Sequence, residues 1–200
     1  MNTPVRPLYG LLLTGGASRR MGQDKALLNY GDQPQLLTAY RLLETVVEQA
    51  YVSVREDQRN EETRRSLPQI VDQLADIGPA AGILAAHAAH PDAAWLVLAC
   101  DLPLLNSATL HALLAARDVS RDATAFTSAH DGLPEPLCAI WEPSAIDALA
   151  ASVATGRVCP RKGLIAIDTK LIAPVDPQAL DNANSPGERE DILQRLRKAS

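Results

Sequence analysis

The sequence predicts a three-layer α/β fold: a mostly parallel sheet, Rossmann-like in plan, with helices on both faces. Three observations predict it. The runs Leu8–Thr14 and Ala94–Ala99 are apolar without alternation, the pattern of strands covered on both sides. Stretches with helical spacing separate such runs, and strands alternating with helices imply a parallel sheet. Two glycines follow the first run and an aspartate follows the second, and open α/β sheets take their ligands outside the carboxyl ends of the strands.

The elements follow in order. Leu8–Thr14 reads as a buried strand. Leu36–Gln49 has helical spacing behind Pro34 and reads as a helix. Ala50–Val54 is a second strand, and the polar stretch Gln58–Arg65 is a surface helix or loop. Gly78-Pro79 breaks the chain before a small-residue helix at Gly82–His90. Ala94–Ala99 is a central strand, and Ser107–Arg117 is a helix with Ser107 as its cap. Ala123–Thr127 and Leu137–Trp141 are further strands, and Pro143–Ala154 is a helix with proline at its start. Leu164–Val175 holds one or two short strands, and Glu188–Lys198 is a terminal helix. No repeat, low-complexity tract or linker interrupts the 200 residues, so one domain is expected.

Composition narrows the function. Hydrophobic residues make up 46% and charged residues 22%, the balance of a globular protein. A net charge of −5 argues against general nucleic-acid binding, which needs a basic face. A phosphate ligand is still possible, because Arg19, Arg20 and Lys25 form a local basic group. Cys100, Cys138 and Cys159 are far apart and include no CxxC pair, against structural zinc or a disulfide framework. The first residues lack the apolar run of a signal peptide, and no stretch reaches the roughly 18 apolar residues of a membrane span. The cytoplasm is the expected compartment.

The segment Leu13-Thr14-Gly15-Gly16-Ala17-Ser18-Arg19-Arg20-Met21-Gly22-Gln23-Asp24-Lys25 carries the most chemistry. Glycines let the backbone approach a ligand, and successive N–H groups then form an anion-binding concavity. Arg20 can grip a phosphate with two donors, whereas Lys25 acts as a point charge. The loop is not a Walker A loop, which needs Gly-Lys-Ser/Thr where this chain reads Gln23-Asp24-Lys25. Nor does Gly15-Gly16-Ala17-Ser18 keep the G-x-G-x-x-G spacing of a dinucleotide fingerprint.

The stretch LTGGASRRMGQDKALL resembles the signature loop of the MobA-like nucleotidyltransferases, approximately L-A-G-G-x-S-x-R-M-G-x-D-K, with Thr14 in place of Ala. The resemblance extends over nearly the whole chain. It implies a Rossmann-like nucleotidyltransferase domain over residues 1–200, with a nucleotide-binding half at about 8–110 and an acceptor half at about 111–200. It implies that Leu13, Thr14 and Gly15 contact base and ribose, and that Gly16, Ala17, Ser18, Arg19 and Arg20 wrap the phosphates. Lys25 would neutralise them. The paired glycines look more like the guanylyltransferase branch than the cytidylyltransferases, which tend to carry Ala-Gly.

Asp101, in Cys100-Asp101-Leu102-Pro103, follows a buried strand, and Mg²⁺ is typically held by one or two carboxylates plus phosphate oxygens and waters. The segment also resembles the family's C-D-x-P metal motif, which implies Asp101 as the metal ligand. Asp72 lies shortly before Gly78-Pro79-Ala80-Ala81-Gly82, which resembles the family's G-P-x-x-G turn. Asp72, Gly78 and Gly82 are therefore expected at the nucleotide, while Asp76 reads as a loop residue or a cap. Ser53 stands where some family members carry an Asn that contacts the nucleotide.

On the acceptor side, Asp181-Asn182-Ala183-Asn184-Ser185-Pro186 resembles the family's N-x-N-[ST]-P turn. Asn182 and Asn184 either hydrogen-bond a pterin or phosphate or serve the turn's backbone. Arg161 or Lys162, after Cys159-Pro160, binds the acceptor phosphate or is solvated. The four histidines show no metal spacing.

The resemblance implies Mg²⁺-dependent transfer of GMP from GTP to the molybdopterin form of the molybdenum cofactor, with Arg20, Lys25 and Asp101 as the catalytic residues. Molybdenum-enzyme or cofactor-biosynthesis proteins would be partners. A cytidylyltransferase or other nucleotidyltransferase with a different phosphorylated acceptor is the second reading. A non-catalytic nucleotide-binding or cofactor-delivery module is the third, and retention of both Asp101 and Lys25 argues against it.

Overall fold

The computed structural model of the chain describes residues 6–14, 24–183 and 186–199. Its strands are β1 (Leu8–Leu13), β2 (Gln49–Val54), β3 (Gln69–Val71), β4 (Ala94–Ala99), β5 (Ala123–Thr127), β6 (Pro134–Trp141) and β7 (Thr169–Ile172). Its α-helices are α1 (Gln35–Glu44), α2 (Glu62–Arg65), α3 (Pro79–Ala89), α4 (Ser107–Ala116), α5 (Pro143–Ala154), α6 (Pro160–Ile165) and α7 (Pro186–Ala199).

The strands form one sheet in the order β3-β2-β1-β4-β6-β5-β7. β1 lies in the middle of its half, parallel to β2 through pairs such as Leu12–Val52 and parallel to β4 through pairs such as Leu12–Leu98. Alternate residues of these strands feed two separate cores, so β1 and β4 lack the polar alternation of a half-exposed strand. Leu12, Val52, Leu96 and Leu98 pack with Leu36 and Leu43 of α1 and Leu110 and Leu113 of α4. Leu11, Trp95, Val97 and Trp141 pack with Ile83 of α3, Ile146 and Leu149 of α5, and Leu164 of α6. The three-layer expectation holds for this physical reason: helices cover both faces of a sheet that has no polar face.

Gly10 sets how closely α1 lies on the sheet. A Cβ there would stand 2.6 Å from Leu43 Cγ, below any ordinary carbon contact.

β6 is antiparallel to both β4 and β5. Its link to β5 is too short for anything but a reversal, since a parallel connection needs a dozen or more residues. Ser128 N–H closes this turn on the Leu133 carbonyl at 2.8 Å, and Gly132 takes φ +72° inside it. The reversal brings the start of β6 to the sheet edge where β1 and β4 end.

Other boundaries depart from the sequence reading. β3 has only three residues and was not legible as a strand. Asn106 caps α4, accepting from Thr109 N–H at 3.0 Å, in place of Ser107. The segment Leu164–Val175 begins with the end of α6 before it becomes β7. The polar run Gln58–Arg65 contains α2, yet Arg64 in it is fully buried.

Candidate active site

The carboxyl ends of β1, β2, β3 and β4 converge on a cavity of about 660 Å³. Parallel strands deliver it: residues just after the strands emerge on one edge, so Thr14, Asp72 and Asp101 meet although far apart in sequence. Cys100 N–H donates to the Leu13 carbonyl at 3.2 Å, and Asp72 N–H donates to the Val54 carbonyl at 2.8 Å. These bonds pin the strand ends in register.

On one wall, Lys25 Nζ lies 3.8 Å from Asp101 Oδ2. Lys25 opens a 3-10 turn, Lys25–Leu27, capped by Asp24, whose Oδ1 accepts from Ala26 N–H at 3.0 Å. Burial pushes the Asp101 carboxyl above the usual range, and the Lys25 charge opposes that shift. Asp101 is also tied to the far end of the chain, because its carbonyl accepts from Ala183 N–H at 3.4 Å. The Asn182 turn thus sits beside Asp101 in space, and Asn182 itself is exposed.

On the opposite wall, Asp72 accepts from Ser53 Oγ at 2.6 Å. Burial raises its pKa as well, against the Ser53 hydrogen bond and the nearby Arg55 charge. Ser53 is 1% exposed, so its hydroxyl serves Asp72 directly. Gly78 precedes α3 at φ +59° and ψ −140°, a conformation that essentially only glycine adopts. Gly82 lies inside α3, where a Cβ would stand 2.4 Å from Ser53 Oγ and 2.7 Å from Leu13 Cδ2. The missing side chain lets α3 close down on the ends of β1 and β2.

The structure thus brings Leu13, Thr14, Lys25, Ser53, Asp72, Gly78, Gly82 and Asp101 to one cavity. Gly15, Gly16, Ala17, Ser18 and Arg20, with Arg19, lie outside the described residues, as does Asn184. Arg161 lies away from this lining, on α6, where it donates to Asp131 at 2.8 Å and to Glu135 at 3.1 Å. Its charge is already matched by two carboxylates.

Sequence reasoning missed three residues. Asp76 lines the cavity with φ +62°, a left-handed conformation that aspartate tolerates better than most side chains. Asp24 carries the cap just described. Arg64 reaches this region from α2: Nε donates to Thr14 Oγ1 at 3.2 Å, and Nη2 donates to Asp24 Oδ2 at 2.7 Å. A -D-K pair after a glycine-rich segment was the only hint of Asp24's role. Nothing in Glu61-Glu62-Thr63-Arg64-Arg65 marked Arg64.

The donor set limits the chemistry. Among the described residues, no group of three or more His, Cys, Asp or Glu side chains could cage a metal. A part-buried carboxylate such as Asp101, facing a cavity, suits a hard cation that draws its other ligands from a phosphate substrate and water. Cys100 is no nucleophile, since burial holds its thiol at a pKa of about 12. No described helix is long and apolar enough to cross a membrane.

Comparison with known proteins agrees with this geometry. A cyanobacterial relative from Synechocystis, a molybdenum cofactor biosynthesis bifunctional protein, is 41% identical over 90% of this chain; the chain spans about half of that relative, 52% of its length. The molybdenum cofactor guanylyltransferase of Pseudomonas fluorescens is 30% identical over 92% of this chain and 93% of its own. The solved molybdopterin-guanine dinucleotide biosynthesis protein A of Archaeoglobus fulgidus superposes with a TM-score of 0.79 over 95% of this chain and 99% of its own, at 21% identity. The family model for the MobA-like NTP transferase domain matches residues 10–167. With that match laid over the cavity at the ends of β1 to β4, the chain belongs to the MobA-like NTP transferases.

Proposed function

We propose that this chain transfers GMP from GTP to the molybdopterin form of the molybdenum cofactor and releases pyrophosphate. The observation that carries the reading is the Lys25–Asp101 pair at 3.8 Å, facing Asp72 across a cavity at the carboxyl edge of the sheet. Relatives that bear the guanylyltransferase name supply the donor and the acceptor.

In this reading an acceptor phosphate oxygen forms the new bond to the α-phosphorus, and the bond from that phosphorus to the bridging oxygen breaks. An acceptor phosphate is already ionised near neutral pH, so the chain has no strong base to supply. Its task is positioning and charge neutralisation. Lys25 faces the donor phosphates, and Arg20 of the same glycine-rich sequence adds a second charge to them in this scheme. Asp101 would hold Mg²⁺, which when bound neutralises charge on phosphate oxygens.

In this scheme Leu13, Thr14 and Gly15 serve the base and ribose, and Gly16 to Arg20 serve the phosphates. Ser53 acts by holding Asp72 at the nucleotide. Gly78 and Gly82 let the backbone there come close. Asn182, next to the Ala183 that bonds Asp101, serves the acceptor, as the sequence expects of Asn184, and Arg161 shapes that side by tying α6 to the β5–β6 turn. The two halves of the chain, about 8–110 and 111–200, divide the donor from the acceptor in this scheme, and the cytoplasm is its compartment.

The test is turnover with α-labelled GTP, CTP or ATP, Mg²⁺ and molybdopterin cofactor. GTP should be used with pyrophosphate release, and Asp101→Ala should cut turnover by about 10²–10³-fold while staying folded. Preference for CTP would select the cytidylyltransferase reading. Nucleotide binding without pyrophosphate release would select the non-catalytic module.

A further inference from the structure

We infer that Arg64 is a positioning residue for nucleotide transfer: one buried guanidinium fastens both ends of the glycine-rich segment and so sets where Lys25 faces Asp101. The inference rests on the proposed transfer reaction for its kinetic consequence, but not for its geometry.

Arg64 is fully buried, its side chain 1% exposed. A buried arginine is costly unless every donor direction is met. Here the donors divide between two distant parts of the chain. Nε donates to Thr14 Oγ1 at 3.2 Å and Nη2 to the Thr14 carbonyl at 3.3 Å, at the end of β1. Nη2 also donates to Asp24 Oδ2 at 2.7 Å. The remaining nitrogen, Nη1, donates to Glu61 Oε2 at 3.3 Å, and Glu61 is itself fixed as the cap of α2, accepting from Thr63 and Arg64 N–H.

Two chains of contact leave this point. Thr14 Oγ1 donates to the Ser53 carbonyl at 2.7 Å, and Ser53 Oγ donates to Asp72. Asp24 caps the turn whose first residue is Lys25, and Lys25 faces Asp101. Both acidic walls of the cavity are thus referred to one planar group. A lysine cannot reproduce this, because a single ammonium lacks the fork that reaches both partners at fixed angles. Displacing a reacting group by an ångström can cost on the order of 10²-fold in rate.

Arg64→Lys and Arg64→Met are compared with Asp24→Asn, which breaks the same link from the other side. Two readouts are needed. The first is tryptic cleavage of the folded protein after Arg19, Arg20 or Lys25, with cleavage after the exposed Arg157 as the internal control. Loosened segment ends should speed cleavage at the first group by about tenfold and leave Arg157 unchanged, whereas general destabilisation speeds both. The second is steady-state kinetics with GTP and Mg²⁺, where kcat/KM should fall about 10–100-fold. The Arg64→Lys, Asp24→Asn double variant should be little worse than the poorer single variant.

Unchanged local cleavage in both Arg64→Lys and Asp24→Asn, or kcat/KM at the unsubstituted level in a folded Arg64→Lys, overturns the inference. So does strict additivity of the two substitutions. If the unsubstituted protein transfers no nucleotide at all, the proposed function fails, and the cleavage pattern alone still decides whether Arg64 fastens the segment.

Discussion

Asp72 shows at the scale of one residue how a binding site opposes stability. Burial raises its carboxyl pKa in the folded chain, and the Ser53 hydrogen bond and Arg55 offset this only in part. A carboxyl group with a raised folded pKa binds its proton more tightly folded than unfolded. It therefore costs nothing at acid pH, and it destabilises the fold increasingly as pH climbs from the unfolded pKa through the folded one. Asp72→Asn removes that charge and keeps an oxygen to accept from Ser53. The melting temperature should rise by a few degrees at pH 7, and the gain should fade toward pH 4. Thermal unfolding followed by circular dichroism at both pH values checks this; a variant that melts lower at pH 7 refutes it. Asp72 was legible because it precedes a glycine-proline turn after an apolar pair. Arg64 was not, since a buried arginine and a solvated one look alike in a polar run, and only the partners in space tell them apart.

The elements differ in legibility for reasons of length and environment. β4, β5 and α5 were bounded to the residue from the sequence, because long apolar runs and a proline at a helix start leave little freedom. β3 was missed because three residues carry no measurable period. The direction of β6 was hidden too, as an apolar pattern reads the same either way; only the short link to β5 encodes it. α3 is the element on which the Asp72 side of the cavity depends. Gly82→Ala there would gain about 1 kcal/mol of helix propensity. The added methyl, however, meets Ser53 Oγ at 2.4 Å and Leu13 Cδ2 at 2.7 Å, and Ser53 is held by Asp72 and cannot swing clear. Overpacking costs about 1–3 kcal/mol, and with both contacts fixed it falls at the upper end. The expected net loss is about 2 kcal/mol, or roughly 4–8 °C in melting temperature. Calorimetry on Gly82→Ala measures it, and an unchanged melting temperature would mean that α3 lifts away without cost.

Across the whole molecule, the cavity collects residues that no short stretch of chain could join. Lys25 follows β1, Asp72 follows β3, Asp101 follows β4, and Ala183 reaches back to Asp101 from near the C-terminus. A ligand that bridges these groups links segments that separate only when the sheet comes apart. It should therefore raise the temperature of one cooperative transition and not create a second. At about 100 times its dissociation constant, a ligand specific for the folded state adds about 2.7 kcal/mol. For a chain of this size each kcal/mol shifts the midpoint by about 2–4 °C, which gives a rise of roughly 5–10 °C with GTP and Mg²⁺ together. Mg²⁺ alone should do little, because Asp101 is a single carboxylate that needs phosphate oxygens to complete the coordination. Asp101→Ala should lose most of the joint effect while retaining its unliganded melting point. A differential scanning experiment with GTP, Mg²⁺, both, or neither reads all of this at once. A full shift with Mg²⁺ alone would place the cation elsewhere on the protein, and a split transition would show the two halves of the sheet melting independently.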